Sequence, residues 1–491
     1  MLRRPLRLIA LACIAALAAM LVAGPSNASV PRATAQQGVT SSSVDVAVLI
    51  ADLDGLRALG LNLPASLTTG NLTKRWVEYF KAIGPINGRT INVIPVTWNP
   101  ADPTSFDKTC IKATQDNKPF AVLNATGYRA SSVGCITVDN NTFMFYGDSS
   151  YQALIDASKK NLVTLGLPAE VSAATAASVL INTKTISKTA KIGILGGNEP
   201  AIKAAGDSAE AVFKKAGYNI VNKTEINVTG QATADQLKDA TAAVATMQAA
   251  GVTDVIVVVP FTVNTGFFNQ AANSGVTFHY NLVDYGGSLC TQFGASSVPA
   301  TAAAAGMSCV TIFDTKALPA KNGIKKDTAF EAKCRAQFDA GFAATSVPGV
   351  PAGGVTDASG TALYEDFPPN ECTMSYLFTT ALKGAGKNPT TASLYDSFLK
   401  ITKYPAAYMS DGEGGYGKNK NYFAKSVHLE TIAAVPTGTV KDPATGLYAG
   451  CPAPRTCFVP VLINGTEWFP VVAAPKLTTS TTAPTATTVA K

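Results

Sequence analysis

A short, β-branched apolar run followed by a stretch with helical spacing recurs through this sequence, and it does so in two separate series. The first series opens with Val44-Asp45-Val46-Ala47-Val48-Leu49-Ile50, nearly continuous in apolar residues, as a strand covered on both faces of a parallel sheet must be. Leu72, Trp76, Tyr79, Phe80 and Ile83 then fall at helical spacing, with Thr69 as the candidate N-cap. A strand over 91–96, a helix over 104–116 and strands over 120–123 and 143–146 complete a βαβαβ unit, whose crossovers put helices on both faces of one sheet.

The second series runs from a helix near Ala173 through a strand at 191–195, a helix at 202–216, a strand at 218–221 and a helix at 232–250. It continues with the apolar run Val255–Val259, a helix over 266–272 and a strand at 280–283. Two such units predict an α/β fold of two doubly wound parallel-sheet lobes facing one another across a cleft. Downstream of Cys309 the pattern turns to helices, at 328–342, 372–382 and 391–401, and then to an apolar strand pair at 426–433 and 458–463. We therefore expect lobe 1 over 44–165 and 310–430, and lobe 2 over 170–305 with C-terminal strands in 431–475. A three-crossing hinge is expected near 164–171, 307–314 and 432–439. Residues 477–491, rich in Thr, Ala and Pro, have too little apolar surface to bury and read as a disordered tail.

The first 28 residues carry Arg3, Arg4 and Arg7, an uncharged apolar run over 8–23, and the small-residue sequence Ser26-Asn27-Ala28. That order is a secretory signal peptide, with cleavage expected after Ala28 and Ala35 as the runner-up. Its apolar run is too short to span a bilayer, and Ala10, three residues before Cys13, argues against lipidation there. The formal net charge of +7 falls to +4 without those three arginines, a balance that does not suggest nucleic acid as a partner. Nine cysteines leave eight once Cys13 is removed. An even number in an exported chain reads as disulfides, and the consecutive pairing Cys110–Cys135, Cys290–Cys309, Cys334–Cys372 and Cys451–Cys457 closes short loops and is the default among many connectivities.

Enzyme signatures are absent. The sequence has no GxSxG, no HExxH and no phosphate-binding GxxxxGK[ST], since Asn419 follows Gly417-Lys418. Gly193-Ile194-Leu195-Gly196-Gly197 lacks the dinucleotide spacing, and the calcium-like start Asp52-Leu53-Asp54-Gly55 has Leu63 where a bidentate Glu is needed. Only His279 and His428 are available as histidine bases, and both read as structural. No catalytic residue, metal or cofactor is expected.

Tyr79-Phe80-Lys81-Ala82-Ile83-Gly84-Pro85-Ile86-Asn87-Gly88-Arg89-Thr90-Ile91 resembles the end of the first helix, the turn and the start of the second strand in type I periplasmic binding proteins of the branched-chain amino-acid (leucine)-binding kind, the substrate-binding components of ABC transporters. Gly84 can end a helix in a left-handed conformation, and Asn87-Gly88 suits a tight turn. The alternation of elements over 44–472 is similar to that family throughout, and Glu467-Trp468-Phe469-Pro470 resembles its C-terminal strand. The resemblance also implies a disulfide at the place of Cys110–Cys135.

It further implies a small-molecule solute held by the loops at the carboxyl ends of the strands. Here those loops carry Asp52, Asn124, Thr126, Tyr128, Asp148, Ser149 and Ser150 in the first lobe, and Asn198, Glu199, Phe261, Thr262, Asp284 and Tyr285 in the second. Asp148 departs from the small and hydroxyl residues usual at its position. With Glu199 and Asp284 opposite, it leads us to expect a cleft of negative or mixed polarity that suits an amide, a cation or a sugar, walled by Tyr128, Phe261 and Tyr285. The expected role is an exported, monomeric, non-enzymatic protein that captures a small polar solute, such as an amino acid or amide, and delivers it to an ABC permease in the membrane. The alternatives are a secreted sensory receptor of the same fold and a secreted hydrolase.

Overall fold

The computed structural model describes residues 36–54, 68–100, 102, 104–125, 127–228, 233–284, 289–290, 298–314, 316, 325–342, 355–356, 368–434, 448–449 and 456–475. The first sheet holds β1 (Ser43–Ala51), β2 (Thr90–Trp98), β3 (Ala121–Asn124), β4 (Phe143–Tyr146) and β5 (Leu162–Thr164) in the order β2-β1-β3-β4-β5, all parallel. Alternation along β1 sends Val46, Val48 and Ile50 to one face and Ala47 and Leu49 to the other, and all five are buried. Both faces are covered because helices lie on both.

On the Val46 face pack α1 (Thr69–Ile83), through Trp76 and Phe80, and two helices from much later in the chain. On the Leu49 face packs α2 (Ser105–Ile111), followed by a π-helical turn and by α3 (Ala130–Gly134) and α4 (Gln152–Ala157). The N-cap of α1 is Thr68 rather than Thr69: its hydroxyl accepts the Asn71 N–H at 3.2 Å. Gly84 at φ 81°, Asn87 at φ 52° and Gly88 at φ 83° then turn the chain into β2, in a conformation that glycine and asparagine adopt at least cost.

The second sheet has β6 (Lys191–Gly197), β7 (Asn219–Ile226), β8 (Asp254–Val257), β9 (His279–Asp284) and β10 (Met307–Thr311), parallel in the order β7-β6-β8-β9-β10. Helices α5 (Ala169–Asn182) and α6 (Pro200–Lys215) cover one face. The other is covered by α7 (Thr233–Ala249), α8 (Phe261–Asn273) and α9 (Ala300–Ala305). The chain then returns to the first lobe for α10 (Ala329–Phe342) and α11 (Pro369–Gly384), which both pack on α1, and α12 (Thr391–Phe398). It comes back to finish the second sheet with antiparallel β11 (Ser426–Ala434), β12 (Thr456–Pro460) and β13 (Trp468–Pro470).

Three passages thus join the lobes, and hydrogen bonds stitch them together. At the first, Thr164 and Leu165 exchange backbone bonds with Asn421, Phe423 and Ala424, and at the second, Ser410 donates to Ile312 and Asp314 to Tyr408. Ser410 Oγ, fully buried, accepts the N–H groups of Lys425 at 2.8 Å and Ser426 at 3.2 Å. The third passage therefore lies at 424–426, upstream of the expected 432–439. All of β11 belongs to the second sheet, Ser426 pairing with Pro470 and His428 with Thr311. The strand was legible, but its apolar pattern does not say which sheet it completes. The run 307–311, read from sequence as part of a crossing, is likewise a full strand.

Three disulfides form, Cys110–Cys135, Cys290–Cys309 and Cys334–Cys372, which are three of the expected consecutive pairs. Of the fourth expected pair, Cys451–Cys457, Cys451 lies outside the described residues. No helix among the described residues is long and apolar enough to cross a membrane.

Candidate functional site

At the carboxyl end of the first sheet, Asp52 follows β1 and its N–H donates to the Trp98 carbonyl at 2.7 Å. Asn124 ends β3, buried, with its amide donating to Leu49 O at 3.2 Å, and its own carbonyl accepts the Gly147 N–H at 2.7 Å. Gly147 has to be glycine, because a Cβ there would lie 2.0 Å from the Ala125 oxygen. That close approach sets Asp148 so that its carboxylate accepts the Gly127 N–H. Ser149 and Ser150 follow, both buried, and Ser150 Oγ has no hydrogen-bond partner within the protein. Thr126 lies outside the described residues.

Tyr128 is core rather than wall. It is 1% exposed, donates from its hydroxyl to Phe106 O at 3.0 Å, and packs edge-on to Trp98 at 5.9 Å. Burial pushes its phenol well above the ordinary range.

In the second lobe Asn198 is exposed. Its side chain is occupied in joining two loops, donating to Asn227 Oδ1 at 2.7 Å and accepting the Val228 N–H at 2.9 Å. Glu199 is the N-cap of α6, its Oε2 accepting from Ala201 N at 2.9 Å and Ile202 N at 3.2 Å. Asp284, at the end of β9, accepts from Leu289 N at 3.1 Å, Cys290 N at 3.3 Å and Thr311 Oγ1 at 3.1 Å. Phe261 and Thr262 open α8 after Pro260, with side chains outside the described set, as is the whole of Tyr285.

The three acids expected to make the cleft electronegative are thus each held by N–H groups of their own lobe. Backbone amides can compensate a buried carboxylate without a counter-cation, although at Glu199 burial outweighs them. Asp148, in particular, does not oblige a ligand to be cationic.

Other residues, not singled out in the sequence, meet at the seam between lobes, where α3 packs against α6. Arg129, the N-cap of α3, lies 4.4 Å over the Phe106 ring. Burial lowers its pKa, while Glu199 and Asp107 act in the opposite direction. Across the seam, the Ser131 N–H and Arg129 act on Glu199, yet burial outweighs them and raises its pKa. Glu170 of α5 reaches the first lobe and accepts the Gln152 N–H at the start of α4, at 2.9 Å. Burial raises its pKa too. Tyr151, beside both acids, is pushed up to about 12, first by burial and then by Glu199 and Glu170. A cation at the positive end of a helix, as at Arg129, runs against the macrodipole, and that was the available signal for it. Among the described residues no cluster of three or more metal-ligating side chains occurs.

A family model described as Periplasmic binding protein matches residues 71–346, more than half of the chain. The chain belongs to the periplasmic binding protein family. Solved structures of this family share its two-lobe, type I fold. A solute-binding protein of an ABC transporter from Rhodopseudomonas palustris BisB5, in complex with 3,4-dihydroxybenzoic acid, aligns with TM-score 0.57 at 13% identity over 89% of this chain and 99% of its own. A leucine-binding protein from Thermotoga maritima aligns with TM-score 0.56 at 11% identity over 79% and 95%. A fatty acid ABC transporter substrate-binding protein from Thermomonospora curvata aligns with TM-score 0.54 at 14% identity over 81% and 90%. At such identities the likeness speaks for the fold. Comparison with curated proteins found no match.

Proposed function

We propose that this periplasmic binding protein is an exported solute-binding component of an ABC uptake system, which closes its lobes on a small polar solute and hands it to a membrane permease without chemical change. The signal-like N-terminus, the disulfides and the family membership support export and binding. The reading rests above all on Ser150. Its hydroxyl is fully buried at the carboxyl end of β4 with no partner in the protein, and a buried polar group without a partner is costly. A solute carboxylate, amide or hydroxyl would satisfy it, with Ser149 next to it in the chain and Glu199 and Arg129 at the seam. Since Asp148 is compensated within its lobe, neutral, zwitterionic and anionic solutes all fit, and a cation is not required.

Calorimetric titration of the full mature chain with amino acids, amides, sugars and aromatic acids tests the reading. We expect saturable heat with no product formed. Ser150→Ala should weaken the responding solute about tenfold, the equivalent of one hydrogen bond of about 1.4 kcal/mol. Turnover of any solute, or undiminished binding by the variant, counts against it.

A further inference from the structure

At the seam between the lobes sit two carboxylates of the second lobe, Glu199 buried and Glu170 half-buried, and each has one buried oxygen that makes no hydrogen bond of ordinary geometry. Glu199 Oε2 caps its own helix, whereas Oε1 is buried and makes no hydrogen bond of ordinary geometry, the Ser131 N–H across the seam acting on the carboxylate too weakly to offset its burial. Glu170 Oε1 accepts the Gln152 N–H from the first lobe, whereas Oε2 is buried with no partner. An ionised carboxylate oxygen in that condition lacks the donors that water would supply. Separating the lobes restores them; a proton removes the need for them.

We propose that closing the lobes takes up protons at Glu199 and Glu170, so that the solute-free protein shifts toward its closed form as the solution is acidified.

The groups that face these acids set the direction. Glu199 meets Arg129 and the Ser131 N–H from α3, and lies beside Tyr151. Arg129 favours the ionised form but is shared with Asp107. Glu170 meets the Gln152 N–H and, from the same helix α4, Asp156, whose charge favours protonation; Tyr151 is again close. Burial is the largest influence on both acids, and both are displaced upward. By linkage, a group that binds protons more tightly in the closed form draws the equilibrium toward closure as pH falls. A pair of ionic latches would do the opposite, because acid would neutralise them and release the lobes.

The inference rests on the two-lobe fold and not on which solute is bound, so its test uses the full chain with no solute added. Small-angle scattering and hydrogen exchange at the Ser131 and Gln152 amides would follow the open-to-closed ratio from about pH 7.5 to about pH 5, where we expect a fall of about fivefold or more. The double variant Glu199→Gln, Glu170→Gln carries neutral side chains that keep the capping oxygens, and it should stay closed across the range with the pH response gone. Should that variant fold poorly, Arg129→Gln removes the cation that favours ionised Glu199 and should move closure to higher pH. Opening on acidification, no pH response in the parent chain, or an unchanged response in the double variant would overturn the inference. Failure of solute titration would bear on the proposed function alone.

Discussion

Asp284 accepts three donors inside its own lobe, from Leu289, Cys290 and Thr311, and so shapes the turn that carries the Cys290–Cys309 bridge. Removing the acceptor strands donors in a site where the residue is 1% exposed. Each buried group left unmade costs about 1–3 kcal/mol. Asp284→Ala should therefore lower unfolding stability by about 3 kcal/mol or more, read as a drop in urea midpoint, while Asp284→Asn, which keeps an acceptor oxygen, should lose less. A ligand-contacting Asp284 would give the reverse pattern, with affinity lost and stability kept. Sequence reasoning placed this residue at a strand end, as it did Asp148 and Glu199, because strand ends follow from periodicity. The donors that occupy Asp148 and Asp284, such as the Gly127 N–H at Asp148, come from loops that meet only after folding, whereas Glu199 caps the helix that follows it, through donors two and three residues on. Glu170, whose donor is the Gln152 N–H of the other lobe, was passed over for the same reason.

Helix α1 shows how an element's ends decide its stability. Its apolar stripe, with Trp76, Tyr79 and Phe80 buried, was plain in the spacing, and the Asn87-Gly88 turn into β2 was legible because its backbone demands those residue types. The start was off by one residue, since Thr68 and Thr69 are equivalent in pattern and only the hydrogen bond to Asn71 N tells them apart. Thr68→Ala should cost about 1 kcal/mol, seen as a lower urea midpoint at unchanged denaturant slope, whereas Thr69→Ala should be close to neutral. Strand β11 is the contrary case. Val427 and Leu429 face one core and Ile432 the other, so its period identified a strand, but its antiparallel place beside β10 depends on the long return through α10, α11 and α12.

At the scale of the molecule, the second and third passages are tied by a partly buried ionic cluster that joins the hinge to the C-terminal strand. His428 and Glu430, both fully buried on β11, meet at 3.0 Å, and His428 stacks on Trp468 at 4.6 Å. Lys325 binds Asp314 at 3.1 Å and Glu467 at 2.5 Å, just beyond the second passage, while Glu467 lies 3.9 Å from the other imidazole nitrogen. Burial alone would lower the pKa of His428, but the Glu430 and Glu467 carboxylates prevail and raise it to about 9 from 6.5. Glu467 moves the other way, to about 2 from 4.5, where burial is outweighed by His428 and Lys325. The signs then follow. A raised histidine stabilises the fold fully below its unfolded value and loses that contribution as pH climbs through 6.5 to about 9. A depressed carboxylate contributes fully above 4.5 and loses its contribution as pH falls toward 2. Stability should therefore hold a plateau between these limits and decline on either side, the alkaline loss being on the order of 2–3 kcal/mol if His428 is its source. Urea midpoints measured across the alkaline limb would show it. His428→Gln should lower the plateau, flatten that limb and also blunt the acid one, since His428 helps hold Glu467 down, and a variant that kept the alkaline decline would place its origin elsewhere.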